Sequence, residues 1–239
     1  MDTIKFNKRN VAVVAHRGLS GIERENTCAA FIAAGNRSYY GIETDIRRTA
    51  DGHIVVNHDR GLARVSGVEM TVENTDLAVL QKVVLYDDEG GHDRADLRPC
   101  TLENYISICK KYDKHCVLEL KSDFTDVEME KIVNTFKSYD YLRNVTFIAF
   151  GYENLLKLRK IEPTQSAQFL FNEFTDEIIE RVKRDGIDVD VYYKSLTKKI
   201  LDELHEAGIT VNCWTVDKKA DAERLALWGV DQITTNILE

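Results

Sequence analysis

The chain has 239 residues, a net charge of -8 at pH 7 and a sequence pI near 5.4. This length suits one large domain or two small ones, and the acidic balance argues against a nucleic-acid surface, which needs a basic stripe to neutralise phosphates. No run reaches the roughly 18 apolar residues that span a bilayer, and the five cysteines are odd in number and widely spaced. We therefore expect a cytoplasmic protein with reduced thiols, no stable membrane insertion and no structural zinc site.

Eight apolar, strand-like runs recur along the chain, separated by helical patterns. They are Val11 to His16, Gly41 to Thr49, Cys116 to Lys121, Val145 to Phe150, Ala167 to Phe171, Ile187 to Tyr192, Thr210 to Val216 and Gln232 to Asn236. One intervening helix is predicted over residues 125–139, because Thr125 and Glu128 have the spacing of a capping box. Its predicted buried stripe consists of Val127, Ile132, Val133 and Phe136.

A glycine closes several of the helical patterns directly before a β-branched run. These residues are Gly41, Gly186, Gly208 and Gly229, and each suits the left-handed position that ends a helix. Alternating helices and strands with short links predict a parallel sheet. Eight such units match a (β/α)8 TIM barrel, typically of about 250 residues. A doubly wound sheet usually has fewer strands and often a G-x-G-x-x-G loop, which is absent here, so the barrel is favoured.

The regular alternation is interrupted after the second strand. Residues 60–99 are polar, contain Gly90-Gly91 and show a short helical pattern only around residues 76–84. We interpret them as a small insertion within a single domain that covers residues 1–239. Long links in compact domains tend to be functional or mobile, so the insertion is either a lid over the strand ends or an excursion without a role in the site.

Polar residues lie near the carboxyl ends of these apolar runs and of the shorter segment Ile54 to Asp59. Six of them are His16, Glu43, Asp45, His58, Glu119 and Lys121. Residues i and i+2 of a strand share a face, so Glu43 with Asp45, and Glu119 with Lys121, can point into one cavity. A single histidine or carboxylate at such a position is more often structural. Their joint occurrence at the end of the barrel where active sites lie predicts a functional site.

The residue types indicate the chemistry of this site. Three carboxylates without clustered cysteine or histidine ligands favour a hard divalent cation, Mg2+ or Ca2+, over zinc. With Arg17 and Lys121 beside it, the cation would form a positive pocket for phosphate. The two histidines could share proton removal and proton donation in phosphodiester cleavage. Trp214 either lines this pocket against an alcohol headgroup or belongs to the core. No Gly-x-Ser-x-Gly elbow is present, which disfavours a serine hydrolase.

Short motifs along nearly the whole chain carry a family resemblance. They are His16-Arg17-Gly18, Glu25-Asn26-Thr27, Ala30-Phe31, Gly41 to Asp45, Thr49-x-Asp51-Gly52, Val55 to Asp59, Thr101-Leu102-Glu103, Leu118 to Lys121 and Trp214 to Val216. In order and spacing the sequence resembles the glycerophosphodiester phosphodiesterase family. The resemblance implies a TIM barrel with a small insertion after the second strand.

The resemblance also implies an activity, namely hydrolysis of glycerophosphodiesters such as glycerophosphocholine or glycerophosphoethanolamine to glycerol 3-phosphate and an alcohol. In the family's usual mechanism the glycerol 2-hydroxyl attacks phosphorus and gives a cyclic phosphate, which water then opens. By motif match, the cation ligands would be Glu43, Asp45 and Glu119. The general base and acid would be His16 and His58, and the phosphate-binding residues Arg17 and Lys121.

Two positions depart from the family pattern. Arg24 stands where the family usually has proline before Glu-Asn-Thr, and Thr235-Asn236 stands where it often has Thr-Asp followed by proline. Neither change touches a predicted ligand or proton carrier. Two other hypotheses remain: a phospholipase-D-like enzyme on the same barrel, acting on lysolipids or sphingomyelin, and a barrel without catalysis that binds phosphorylated ligands.

Overall fold

The computed structural model describes residues 2–87 and 89–239 of the chain. Their strands are β1 (Ala12–Ala15), β2 (Gly41–Arg48), β3 (Ile54–Val56), β4 (His115–Leu120), β5 (Val145–Ala149), β6 (Ala167–Phe171), β7 (Asp188–Tyr192), β8 (Val211–Trp214) and β9 (Gln232–Thr235). Eight of them are parallel neighbours, and β1 pairs with both β9 and β2, which closes the sheet. The predicted TIM barrel is therefore confirmed. The remaining strand, β3, lies antiparallel to the carboxyl end of β2.

Helices connect the strands around the outside of the barrel. They are α1 (Cys28–Gly35), α4 (Leu102–Lys111), α5 (Asp126–Ser138), α6 (Tyr152–Ile161), α7 (Asp176–Asp185), α8 (Lys198–Glu206) and α9 (Lys219–Trp228). Two shorter helices, α2 (Ala63–Ser66) and α3 (Leu77–Leu80), lie between β3 and α4. Among the described residues, no helix is long and apolar enough to cross a membrane.

The helix α5 shows where the sequence pattern was right and where it was wrong. The predicted capping box is present: Glu128 donates its N–H to Thr125 Oγ1 at 3.3 Å, and Thr125 donates its N–H to Glu128 Oε2 at 2.7 Å. The buried side chains are Met129, Ile132, Val133 and Phe136. Val127 is 75 % exposed, because it lies two residues from Met129 and so points about 200° away around the helix.

The glycine prediction holds at three of its four positions. Gly186, Gly208 and Gly229 have φ values of 59°, 75° and 90°, and each follows the end of a helix. Gly41 is instead the first residue of β2 and has no positive φ. A Cβ atom there would lie 2.8 Å from the carbonyl oxygen of His115, so the close approach of β4 is what requires glycine.

Residues 57–87 and 89–101 form a segment beside the carboxyl ends of the strands. Its apolar side chains make a cluster apart from the barrel core together with Val55 of β3: Leu62, Val65, Val72, Leu80, Leu85 and Leu97. The predicted helical pattern at 76–84 becomes the short α3. Arg24, in the loop after β1, donates from Nε to the carbonyl oxygen of Tyr86 at 2.5 Å. The segment therefore rests on the loop that follows β1. Residue 88 lies outside the described residues.

Candidate active site

The turn that follows β1 brings a main-chain donor to the carboxyl ends of the strands. Arg17 and Gly18 both have left-handed conformations, with φ values of 54° and 77°. A Cβ atom at Gly18 would lie 2.7 Å from Ala30, so only glycine fits. The left-handed Arg17 costs about 1–2 kcal/mol, and this strain is typical of functional sites. In this conformation the backbone N–H of Arg17 donates to Glu43 Oε2 at 2.8 Å.

Three buried carboxylates meet beside this turn. Glu43 and Asp45 come from β2, and Glu119 comes from β4, where it is the register partner of Asp45. One oxygen of each lies within 4.8 Å of the others. Asn26 donates from Nδ2 to Asp45 Oδ2 at 2.8 Å, while Asp45 Oδ1 is buried with no hydrogen-bond partner in the described part of the chain. A cluster of hard oxygen donors with an unpaired oxygen fits a divalent cation.

Proton affinities support this interpretation of the cluster. Burial raises the pKa of Glu43 well above its usual value, and the neighbouring carboxylates raise it further. Burial and the charge of Asp45 raise the pKa of Glu119 to about 8. Burial also opposes ionisation of Asp45, but the cations around it, Arg17 first, lower its pKa to about 2. Three negative charges are therefore unstable together here unless protons or a cation neutralise them.

Two basic side chains flank the acidic cluster. Lys121 Nζ lies 2.8 Å from Glu119 Oε1 and 3.7 Å from Asp45 Oδ1. Arg17 Nε lies 3.5 Å from Asp45 Oδ2 and, within residues 2–87 and 89–239, has no hydrogen-bond partner. An anion could therefore contact both cations in this otherwise acidic protein.

The first histidine, His16, directly follows β1. Its Nδ1 lies 2.7 Å from Asn236 Oδ1, and Asn236 uses its own Nδ2 to donate to Asp217 at 2.6 Å. This network assigns the proton to Nδ1 of His16 and leaves the lone pair on Nε2, which lies 4.0 Å from Glu43 Oε2. Burial, together with Arg17, lowers the pKa of His16 to about 4. His16 is therefore a neutral base near pH 7.

The second histidine, His58, lies two residues after β3. Its Nδ1 is 2.7 Å from Asp59 Oδ1, and its carbonyl oxygen accepts from Arg47 Nε and Nη2 at 3.1 and 2.7 Å. Burial lowers the pKa of His58, whereas Asp45 and Asp59 counteract that shift. A carboxylate partner on Nδ1 stabilises an imidazolium, so His58 accepts a proton more readily than a histidine paired with an amide.

These groups surround one cavity. Seven of the eight predicted site residues line it: His16, Arg17, Glu43, His58, Glu119, Lys121 and Trp214. The eighth, Asp45, lies within the acidic cluster. The apolar part of the lining includes Ile148, Phe150 and Leu170. Trp214 contacts Phe150 edge-on, with ring centroids 5.7 Å apart, and also packs on the apolar cluster inside the barrel.

Three further polar residues belong to the site although the sequence did not single them out as site residues. Asn26 and Asn236 orient Asp45 and His16, as described above. Asp190 of β7 lines the cavity, and its Oδ1 is buried without a hydrogen-bond partner among the described residues. Burial raises its pKa well above the ordinary value. The sequence could have indicated Asp190 as a site candidate, because it is an acidic residue between Val189 and Val191 in an apolar, strand-like run.

The closed barrel, with this polar cavity at the carboxyl ends of its strands, places the chain in the class of TIM-barrel phosphodiesterases. Residues 16–239 match the model of the glycerophosphoryl diester phosphodiesterase family, so the chain belongs to that family, as the motifs predicted.

Individual relatives agree with the family match over nearly the full length. A glycerophosphodiester phosphodiesterase of Caldanaerobacter subterraneus is 29% identical over 231 residues, which cover 94% of this chain and 93% of the relative. A glycerophosphodiester phosphodiesterase of Bacillus subtilis is 27% identical over 247 residues, covering 95% and 83%. The structure of a glycerophosphodiester phosphodiesterase from Parabacteroides distasonis aligns with a TM-score of 0.79 at 26% identity, covering 96% and 94%. An Oleispira antarctica phosphodiesterase shares the fold, with a TM-score of 0.87 at 23% identity over 94% and 92%.

Proposed function

We propose that this protein hydrolyses glycerophosphodiesters to glycerol 3-phosphate and an alcohol. The observation that carries the proposal is the arrangement of two histidines, two basic side chains and three carboxylates around one cavity. Family membership supports it. So does the Oleispira antarctica phosphodiesterase of the same fold, whose structure contains the product sn-glycerol-3-phosphate.

Glu43, Asp45 and Glu119 would hold a divalent cation, Mg2+ or Ca2+. Their buried oxygen donors suit a hard cation, and one of them, Asp45 Oδ1, accepts no hydrogen bond within the described residues. No thiolate or imidazole is in this set of three carboxylates. When bound, the cation would polarise the phosphoryl group and stabilise negative charge in the transition state. Arg17 and Lys121 would bind the phosphate oxygens beside the cluster, because both line the cavity.

The two histidines would divide proton transfer according to their partners. In the first step, Nε2 of His16 takes the proton of the glycerol 2-hydroxyl as its oxygen attacks phosphorus, while His58 protonates the departing alcohol oxygen. This step gives a cyclic phosphate. In the second step, His58 takes a proton from water as water attacks phosphorus, and His16 returns its proton to the 2-oxygen. Asp59 stabilises the imidazolium of His58. The negative charge of the substrate phosphate would also raise the pKa of His58.

The apolar wall would contact the carbon skeleton of the substrate. Phe150 and Trp214 form an aromatic part of the cavity lining, and Lys121 Nζ lies 5.8 Å from the centre of the Phe150 ring. Such aromatic surface favours contact with the carbon atoms of the substrate over contact with water. Glycerophosphocholine and glycerophosphoethanolamine are the substrates we propose to test first.

The test couples release of glycerol 3-phosphate to its dehydrogenase. Glycerophosphocholine and glycerophosphoethanolamine are incubated with the protein, with and without EDTA, and Mg2+ or Ca2+ is then added back. We expect turnover that EDTA abolishes and an added cation restores. Release of choline from lysolipids or sphingomyelin, without turnover of glycerophosphodiesters, would instead indicate a phospholipase-D-like enzyme. If no substrate is turned over while glycerol 3-phosphate still binds, the barrel is a binding protein.

A further inference from the structure

An arginine outside the cavity is bonded to two carboxylates that lead into it. Arg64 lies on α2, in the segment between β3 and α4. Its Nη1 and Nη2 donate to the two oxygens of Glu25, both at 2.8 Å, and its Nε donates to Asp59 Oδ2 at 2.6 Å. This guanidinium therefore joins the loop after β1 to the residue that follows His58.

Each of these carboxylates has its second partner in the candidate active site. Glu25 Oε1 also accepts from Nη1 of Arg17 at 2.9 Å. Asp59 uses its other oxygen, Oδ1, for the 2.7 Å contact with Nδ1 of His58. Arg64 is thus one residue removed from both the proposed phosphate ligand and the proposed general acid. We name this set, Arg17, Glu25, Arg64, Asp59 and His58, the arginine network.

The geometry of the arginine network restricts how its inner members can move. With both oxygens of Glu25 bonded to Arg64, the carboxylate has a fixed plane, and Arg17 Nη1 is held against it. This leaves Arg17 Nε, which has no hydrogen-bond partner in the described ranges, for another acceptor. Asp59, fixed at Oδ2, accepts from Nδ1 of His58, so the lone pair of the neutral imidazole lies on Nε2.

We propose that Arg64 is a positioning residue, which orients Arg17 towards the substrate phosphate and His58 towards the leaving alcohol by fixing Glu25 and Asp59. This inference rests on the proposed function. It adds that the segment between β3 and α4 takes part in the reaction through a side chain that touches neither substrate nor cation.

The test compares Arg64→Met with a matched variant, Arg94→Met. Arg94 lies on the same segment and also joins two carboxylates: it donates to both oxygens of Asp96, at 3.0 and 2.7 Å, and to Glu23 at 3.1 Å. Neither of these carboxylates is bonded to a residue of the arginine network. Arg64→Lys is the third variant, because it keeps the charge but loses the planar two-point contact with Glu25.

We expect Arg64→Met to raise KM for glycerophosphocholine by about tenfold and to lower kcat by a similar factor. Arg94→Met should leave both constants unchanged, and Arg64→Lys should be intermediate. The alkaline limb of the activity profile should move to higher pH in Arg64→Met. The negative charge of Asp59 is then no longer balanced by Arg64, whereas the other charged groups around His58, namely Asp45, Arg17, Lys121 and Arg47, are all retained.

A readout without turnover separates this inference from the proposed function. The imidazole of His58 is followed by NMR as pH is varied, and glycerol 3-phosphate binding is measured by calorimetry, both in cation-free protein. A higher pKa of His58 and weaker binding of glycerol 3-phosphate in Arg64→Met, but not in Arg94→Met, would support a positioning role for Arg64 even if no substrate is turned over. If Arg64→Met and Arg94→Met match each other in KM, kcat, pH profile, His58 titration and binding, the arginine network is structural only and the inference is wrong. If Arg64→Met does not fold, the same comparison is made with Arg64→Lys.

Discussion

The two halves of the cavity differ in chemistry, although both lie on the same barrel. The half formed by β1, β2, β4 and the residues after β3 carries the charges: Arg17, Glu43, Asp45, His58, Glu119 and Lys121. The half formed by β5, β6 and β8 contributes Ile148, Phe150, Leu170 and Trp214. The strand ends in the first half of the sequence thus supply groups that bind ions and move protons, whereas later strands supply carbon surface.

This division has a physical basis. Buried charges are tolerated when each has a partner, and the polar half is a continuous series of such contacts, from Asn236 through His16 to Glu43 and on to Arg17. The apolar half needs no such network and can exclude water from the reacting groups. Excluding water strengthens the electrostatic interactions across the cavity. Asp190 of β7 departs from this division, since it lines the cavity beside these strands and its Oδ1 is buried without a hydrogen-bond partner in the described residues. Thr215 and Thr234 also contribute polar atoms to the lining.

The strongest test of this comparison removes a proton carrier from the polar half. His16→Ala or His58→Ala should lower kcat by about a thousandfold, because each histidine is assigned one proton transfer in each step. Cation affinity, measured by calorimetry, should change little, because neither imidazole belongs to the acidic cluster. His53→Ala is the control, since His53 lies in an exposed turn. A comparable loss of cation affinity in His16→Ala or His58→Ala would show that imidazole is a ligand.

A cation ligand provides the next largest effect. Glu119→Gln should weaken Mg2+ or Ca2+ binding by roughly ten- to a hundredfold at pH 8.5. In the unmodified protein the affinity should rise by at least about tenfold per pH unit up to about pH 8, and the raised pKa of Glu43 adds to this dependence. The reason is that the pKa of Glu119 is about 8, so below that pH its proton competes with the cation. In Glu119→Gln the cation no longer displaces this proton, so the number of protons released on cation binding should fall by about one. The loss of cation affinity relative to the unmodified protein should therefore be smaller at pH 6 than at pH 8.5.

Calorimetry in buffers of different ionisation enthalpy checks the second prediction, because it counts the protons released on binding. Glu130→Gln serves as the control, since Glu130 is an exposed carboxylate on α5. Identical pH slopes in Glu119→Gln and the unmodified protein would contradict ligation by Glu119, whatever the absolute affinity.

The polar half was also the more predictable one, for reasons of local geometry. Glu43 with Asp45 could be placed on one face because side chains alternate along a strand, and parallel strands of a barrel all end on the same side. The eight barrel strands followed from the same local pattern. The buried stripe of α5 failed at Val127 because the prediction used its apolar character and not its angular position, which is about 200° from Met129. Gly41 was misread because close strand packing and a left-handed turn both require glycine.

Contacts between distant segments could not be predicted in this way. The orientation of His16 depends on Asn236, which is 220 positions away, and on Asp217 behind it. The arginine network joins the loop after β1, the residues after β3 and helix α2, whose mutual placement no local pattern encodes. At the sequence level Asn236 was noted only as a departure from the family, whereas the structure shows that an amide in this place gives His16 a neutral partner.

The smallest predicted effect belongs to the apolar half and is the one that most sharpens the comparison. Trp214→Leu should raise KM for a glycerophosphodiester by about tenfold, equivalent to about 1.4 kcal/mol of lost binding, because part of the aromatic wall and the bond from Nε1 to the Asp190 carbonyl are removed. Trp228→Leu on the outer helix α9 is the matched control, since its ring packs against Arg224. Cation affinity should be the same in Trp214→Leu, in Trp228→Leu and in the unmodified protein. If Trp214→Leu instead weakens cation binding as Glu119→Gln does, the two halves are energetically coupled and the division between ion binding and carbon contact fails.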